Sequence, residues 1–126
     1  KRLNKFVKKR NKIREYYLKN LKNLPIKFQK IEKNNLCSFH LIIVEIQKKL
    51  RDKLFNYLRK KKINVNIYYI PIFYHPFYYK KKFMKNKYSI EYYETAISLP
   101  AFFDLKESQL KKILRTIKEF FNLYDK

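Results

Sequence analysis

The 126 residues carry 32 Lys and Arg against 10 Asp and Glu, a formal charge of +22, with no Gly and no Trp. That length suits one domain and leaves no room for two cores of ordinary size. Without Gly no phosphate-cradling Gly loop can form, which excludes both a P-loop and a dinucleotide fingerprint.

The chain opens inside a helical pattern. Leu3, Phe6, Val7, Arg10, Ile13, Tyr17 and Leu21 recur at helical spacing. Leu24 and Pro25 end it, because the residue before a proline avoids the helical region. An opening in mid-element reads as the end of a longer helix, residues 1–24, whose upstream part lies outside this sequence. Residues 26–28 predict a short edge strand. Residues 41–44 are all apolar and predict a strand buried on both faces. Residues 48–61 predict an amphipathic helix with Leu50, Leu54 and Leu58 on one stripe. Residues 64–69 alternate, with Val65, Ile67 and Tyr69 facing one way and Asn64, Asn66 and Tyr68 the other, which predicts a half-buried strand. Pro71 and Pro76 require that strand to end near Ile70. Residues 73–83 predict a helical turn or two. Ser89 suits the cap of a short helix over 90–96, and residues 97–100 predict a short strand closed by Pro100. Asp104 with Glu107 matches a capping box and opens a last helix reaching about Tyr124. Leu110, Ile113, Leu114, Ile117 and Phe121 form its buried face. The order predicts a small two-layer α/β sandwich, with helices covering a sheet of three or four strands.

At face value the charge points to nucleic acid or an anionic membrane surface. Composition supplies another cause. Lys, Asn, Ile, Tyr and Phe dominate while Ala occurs only at positions 96 and 101. Codons of A and T encode the abundant set, so the bias of an AT-rich genome accounts for the lysines without a binding role. Only six of the 32 basic residues are Arg, whereas base readout favours Arg forks. The lysines are also spread over several predicted elements and not gathered on one. No apolar run approaches the roughly 18 residues of a membrane helix, and the N-terminus lacks the apolar region of a secretory signal. Cys37 is the single cysteine, so no internal disulfide can form, which suits a reducing cytoplasm.

Catalytic sets are scarce. His40 and His75 have no further ligand at metal spacing, so no metal is expected. Cys37 lies three residues from His40, which is not a nucleophile–base signature. No lysine sits in an apolar context that would lower its pKa for Schiff-base chemistry. His40 reads as a core or edge histidine at the start of a buried strand. The stretch N-I-Y-Y-I-P-I-F-Y-H-P-F-Y-Y, residues 66–79, is the unusual one. Its loop after a strand end is where ligand contacts concentrate, and its aromatic rings equally serve to cover the sheet end. His75 fits either reading.

Four blocks in register carry a resemblance. They are S-F-H-L-I-I-V from Ser38, R-D-K-L-F-N-Y-L-R-K-K-K-I-N-V-N-I-Y-Y-I-P-I from Arg51, P-F-Y from Pro76, and E-Y-Y-E-T-A-I-S-L-P from Glu91. Together they resemble the C-terminal part of the DegT/StrS family of pyridoxal-phosphate (PLP)-dependent nucleotide-sugar aminotransferases. The nearest flavour is the transaminases that make UDP-4-amino-4,6-dideoxy-N-acetyl sugars. Six positions depart from the family text. Phe39 stands for its usual Trp, Lys62-Ile63-Asn64 for Gly-Ile-Gly, Tyr68 and Phe73 for two His, and His75 for a Gln. The resemblance implies that residues 25–126 are the small C-terminal domain, as in fold-type-I aminotransferases. It implies a homodimer and a PLP-binding large domain outside this sequence, so that no catalytic residue lies in this chain. It implies a nucleotide-sugar substrate and an amino donor, with glutamate expected in that role. Tyr68, Tyr69 and His75, joined by Tyr78 and His40, are then the candidate substrate-binding residues. A stand-alone basic nucleic-acid-binding module, or the product of a decayed gene, are the alternatives.

Overall fold

The computed structural model describes residues 2–79 and 86–124. Helix α1 (Arg2–Leu21) buries Ile13, Tyr17 and Leu21, the apolar positions of its second half. Its first half is more open, with Leu3 exposed and Phe6 edge-on to Phe103 at 4.7 Å. A 3.0 Å bond from the Leu24 N–H to the Leu21 carbonyl closes the chain onto the helix end just before Pro25.

Three short strands form an antiparallel sheet in the order β1 (Lys27–Phe28), β2 (Ile42–Glu45), β3 (Ala96–Leu99). Strand β1 is the expected edge. In the β2–β3 register Ile42 faces Leu99 and Val44 faces Ile97, and all four are buried on one side. Ile43 pairs with Ser98 on the other side. Strand β2 is therefore half-buried by alternation, not buried on both faces as its unbroken apolar run predicts. Strand β3 is the fully buried one.

The segment after α2 explains why. Helix α2 (Lys48–Lys60) buries Leu50, Leu54 and Leu58 as its stripe predicts. Beyond it the chain does not form the strand expected over residues 64–69. It makes a single antiparallel bridge, Asn66 to Ser98, through backbone bonds of 3.3 and 2.8 Å. That bridge covers the free edge of β3. Val65 is buried, but Tyr69 is 71% exposed, so the predicted alternation breaks once the chain lifts off the sheet toward Pro71.

A 3-10 turn (Ile72–Tyr74) and a short helix α3 (Pro76–Tyr79) follow, which places helical turns where residues 73–83 predict them. The remainder of that expectation, residues 80–83, lies outside the described residues. Helix α4 (Lys87–Thr95) is capped by Asn86, whose side-chain oxygen accepts from the Tyr88 and Ser89 N–H groups at 2.9 and 3.2 Å. Ser89 is thus a recipient of the cap, not the cap, because the helix starts earlier than its apolar pattern suggests. Helix α5 (Glu107–Tyr124) shifts its capping box the other way, later in the chain. Gln109 Oε1 accepts from the Lys106 N–H at 2.8 Å, two residues beyond the expected Asp104–Glu107 pairing. The predicted buried face of α5 is present, with Thr116 and Phe120 added.

The core gathers Ile13, Tyr17 and Leu21 of α1, the Leu stripe of α2, the inward face of the sheet and the apolar face of α5. Fully burying a side chain such as Leu54 or Phe120 stabilises the fold by about 1.5–3 kcal/mol. The result is a small α/β unit with one sheet face packed under helices and β2 half-buried on the other.

Candidate functional site

On the Ser98 side of β3, a cleft of about 270 Å³ opens between α1 and the Asn66–Ser98 bridge, walled by Arg10, His40, Asn64, Asn66, Ser98 and Pro100 among others. Its position follows from local structure. Phe39 has φ 45°, in the left-handed region that a bulky side chain avoids. Burial of its ring and the Arg14 guanidinium 4.6 Å above it hold it there. That twist sends Phe39 inward and the next residue, His40, outward into the cleft wall. His40 is exposed and makes no side-chain hydrogen bond among the described residues, unlike the satisfied core or edge histidine that its place before a strand suggests.

Arg10 reaches the cleft from α1. Its Nε donates to the Ala101 carbonyl at 3.3 Å, and its side chain lines the cleft. Asn64 arrives through the end of α2. Lys62 has φ 58°, and the Ile63 N–H bonds the Leu58 carbonyl while the Lys62 N–H bonds the Arg59 carbonyl, both at 2.9 Å. These two bonds around a left-handed residue form a Schellman turn. Arg59 Nη1 donates to Asn64 Oδ1, so the hydrogens of the Asn64 amide remain to be given elsewhere.

The other candidates lie along the exposed segment beyond Asn66. The Tyr68 and Tyr69 rings meet at 4.9 Å. His75 Nε2 lies 3.2 Å from the Ile70 carbonyl, which ties the loop back to the chain leaving the sheet. Phe73 is buried and anchors the loop, with Tyr74 edge-on at 4.9 Å. Phe77 is 76% exposed and packs edge-on to Tyr78 at 5.0 Å. The structure thus brings Tyr68 to Tyr69 and His75 to Ile70. It sets His40 in the cleft, whose walls do not include Tyr68, Tyr69, His75 or Tyr78. Arg10, Asn66 and Ser98 escaped the sequence reading. The available signal was the scarcity of Arg, which makes each of the six worth placing.

The opposite end of the sheet is held by Arg51. It is buried, donates from Nε to the Glu94 carbonyl at 3.1 Å and lies 5.5 Å from the Tyr93 ring, joining α2 to α4. Beside it, burial and then the Glu45 carboxylate push the Tyr92 phenol above its ordinary pKa.

A Schiff-base lysine works in a desolvated pocket. None of the described lysines is buried, so the residues described here do not fit the role of holding PLP covalently. No group of three potential metal ligands occurs among the described residues. No described helix is long and apolar enough to cross a membrane.

The fold is shared with part of solved aminotransferases. The TlmJ aminotransferase from Streptoalloteichus hindustanus superposes with a TM-score of 0.91 at 18% identity, over 98% of this chain and 34% of that one. Helicobacter pylori PseC, an aminotransferase involved in pseudoaminic acid biosynthesis, gives 0.80 at 21% identity, over 92% and 33%. The protein Spr1654 of Streptococcus pneumoniae, solved in its PLP form, gives 0.82 at 21% identity, over 91% and 31%. The chain spans about a third of the length of these structures. No curated protein sequence matches it. Residues 1–118 match the DegT/DnrJ/EryC1/StrS aminotransferase family, and the chain belongs to that family.

Proposed function

We propose that this chain is the C-terminal portion of a PLP-dependent sugar aminotransferase. The parent enzyme moves an amino group from glutamate onto a nucleotide-linked 4-keto-6-deoxy sugar, of the kind that leads to UDP-4-amino-4,6-dideoxy-N-acetyl sugars. Residues 1–24 are the end of an inter-domain helix and residues 25–126 the small domain. The large domain, outside this sequence, holds PLP, which carries the electron-sink chemistry of transamination. This chain supplies substrate contacts and dimer surface. A single cysteine with no disulfide to make suits a cytoplasmic setting.

The observation that carries this reading is the combination, on a chain of this family, of an exposed aromatic segment with a polar cleft at the adjoining bridge. Tyr69 is 71% exposed on a loop whose fold is fixed by Phe73 and by the His75 contact to Ile70. Rigid aromatic faces with hydroxyl tips suit sugar and uracil rings. In this reading Tyr68, Tyr69, His75 and Tyr78 line the sugar-nucleotide side, with His40 at the neighbouring cleft.

The test is turnover by the full-length polypeptide that contains this chain. Supplied with PLP, glutamate and a UDP-4-keto-6-deoxy-N-acetyl sugar, it is expected to yield the 4-amino sugar and 2-oxoglutarate, read by mass spectrometry. Conversion of glutamate without amination of any keto-sugar nucleotide would overturn the substrate class.

A further inference from the structure

We infer that the groove between α1 and α5 is a docking surface for a single-stranded nucleic acid, held by its phosphates and by a base stacked on Tyr16. The inference does not depend on the aminotransferase reading.

Two hollows of about 400 Å³ each lie between these helices, and Tyr16 walls both. They form one groove. Lys9 and Lys12 stand on its α1 wall, and Lys111, Arg115 and Lys118 on its α5 wall. Lys9, Lys12 and Tyr16 recur at i, i+3 and i+7, and Lys111, Arg115 and Lys118 at i, i+4 and i+7, so each set is one stripe of its helix. A codon bias sets how many lysines a chain carries. It does not set their register on two helices that meet.

Two carboxylates, Glu107 and Glu119, also line the groove. Each is met within α5, Glu107 by Lys111 at 2.7 Å and Glu119 by Arg115 at 3.5 Å. Lys9, Lys12 and Lys118 make no ion pair among the described residues. Five cations therefore face two carboxylates that are already engaged, and the field of the groove favours a polyanion.

Shape and floor select which polyanion. The apolar residues of the groove, Ile13, Leu110 and Leu114, are buried, so a partner helix finds no apolar area for its anchors. A membrane surface is flat and does not enter a concave site. Packed helices lie about 8–10 Å apart, axis to axis, which seats one strand and not a duplex. From Glu107 to Asn122 the groove runs about 22 Å along α5. A stacked strand carries a phosphate about every 3.4 Å, so about six nucleotides fit. Tyr16 is half-buried where the two hollows join. A basic track with an aromatic ring in its wall is the combination on which single strands bind.

The chain's +22 charge attracts any polyanion diffusely, so the test separates a site from a field. The full-length polypeptide that contains this chain is titrated, across a range of salt, with a labelled oligouridylate of about 12 nucleotides and with polyglutamate of similar charge. The groove variant is Lys9→Gln/Lys12→Gln/Lys118→Gln. Its control, Lys33→Gln/Lys49→Gln/Lys60→Gln, removes the same charge from exposed lysines outside both hollows. The oligouridylate is expected to bind. The groove variant is expected to flatten the slope of log affinity against log salt by about 2, at about 0.7 per lost phosphate contact. Projected from about 1 M, that is about a hundredfold weaker binding at about 0.1 M salt. The control should keep the wild-type slope. Lys9 is half-buried; if its replacement disturbs folding, Lys12→Gln/Lys118→Gln decides alone, with a slope flattened by about 1.4. Tyr16→Leu keeps an apolar side chain and removes the ring, and should weaken the oligouridylate about tenfold at unchanged slope while leaving polyglutamate unaffected. Equal flattening by the control, or no binding of the oligouridylate at about 0.1 M salt, overturns the site. Polyglutamate bound as tightly, with Tyr16→Leu silent for both probes, assigns the groove to an acidic protein segment and overturns the nucleic acid. Tighter binding of a duplex of the same length overturns the single strand.

Discussion

The Tyr17 hydroxyl, on a side chain with no solvent exposure, donates a 3.0 Å hydrogen bond to the Pro100 carbonyl. It ties the buried half of α1 to the end of β3, next to where Arg10 meets Ala101. Pro100 has no N–H to give and closes the strand, so its carbonyl is the group through which that end is fixed. Tyr17→Phe keeps the ring and removes the bond, and is expected to cost about 1 kcal/mol. The matching loss should appear as a lower urea midpoint with an unchanged slope.

The same phenol gives a pH dependence. Burial raises its pKa well above the ordinary 10.0. The folded chain therefore keeps a proton that the unfolded chain releases. This stabilisation is complete below pH 10 and declines as pH rises through that value and beyond. The slope contributed by one such group is about 1.4 kcal/mol per pH unit. Subtracting the Tyr17→Phe profile from that of wild type isolates it from the other tyrosines and the lysines. Parallel profiles above pH 10 would show that the phenol is not buried in solution.

Lys62 occupies a position that suits Gly. Its φ of 58° sits at the left-handed residue of the Schellman turn that ends α2, where a Cβ is unfavourable. Lys62→Gly is expected to stabilise the protein by about 1 kcal/mol, and Lys62→Ala to leave stability near that of wild type, because alanine keeps the Cβ. Thermal melts of the two variants side by side distinguish backbone relief from loss of a lysine charge, which both share.

Arg51 acts through its Nε and its stacked guanidinium. It is buried, bonds the Glu94 carbonyl at 3.1 Å and Asp52 at 3.1 Å, and lies 5.5 Å from the Tyr93 ring. Arg51→Ala should destabilise by about 2–3 kcal/mol, the range for a hydrogen bond to a charged group plus lost packing. Arg51→Lys should recover less than half, since an ammonium cannot bond the Glu94 carbonyl and cover the ring at once. Recovery to wild-type stability in Arg51→Lys would reduce its role to charge alone.

These residues also show what was legible beforehand. Helices α1, α2 and α5 are written in apolar spacing, and their buried faces were readable because burial acts on each residue separately. The Lys62 turn was visible as a departure, a lysine where the resembling family has Gly. The residues 64–69 deceived because alternation records which side chains can face a sheet, not whether a neighbour pairs with them. Asn66 found one bridge to Ser98, and the chain then turned away at Pro71. Strand β2 deceived in the opposite sense: Ile43 is apolar yet only half-buried, opposite Ser98. The cleft was illegible for a related reason. Arg10, His40 and Asn66 are far apart in sequence, and it is the twist at Phe39 and the bridge to Ser98 that collect them.

The last prediction concerns the exposed segment. Tyr69 is 71% exposed and makes no side-chain hydrogen bond among the described residues, its one ring contact being Tyr68 at 4.9 Å. Nothing in the fold needs it, so Tyr69→Ala should leave the melting temperature within error. If the ring meets the sugar-nucleotide substrate, the same change in the full-length enzyme should raise KM for that substrate about tenfold. A stacking contact is worth about 1–3 kcal/mol. KM for glutamate should not move. Tyr69→Phe separates the two parts of the side chain: KM close to wild type assigns the effect to the ring face, and KM close to that of Tyr69→Ala assigns it to the hydroxyl. Phe73→Ala is the contrasting control, because Phe73 is 9% exposed and anchors the loop. It should lower stability and raise KM together. A nucleotide-sugar KM untouched in Tyr69→Ala would mean that the segment only covers the sheet end, the simpler of the two roles its sequence allows.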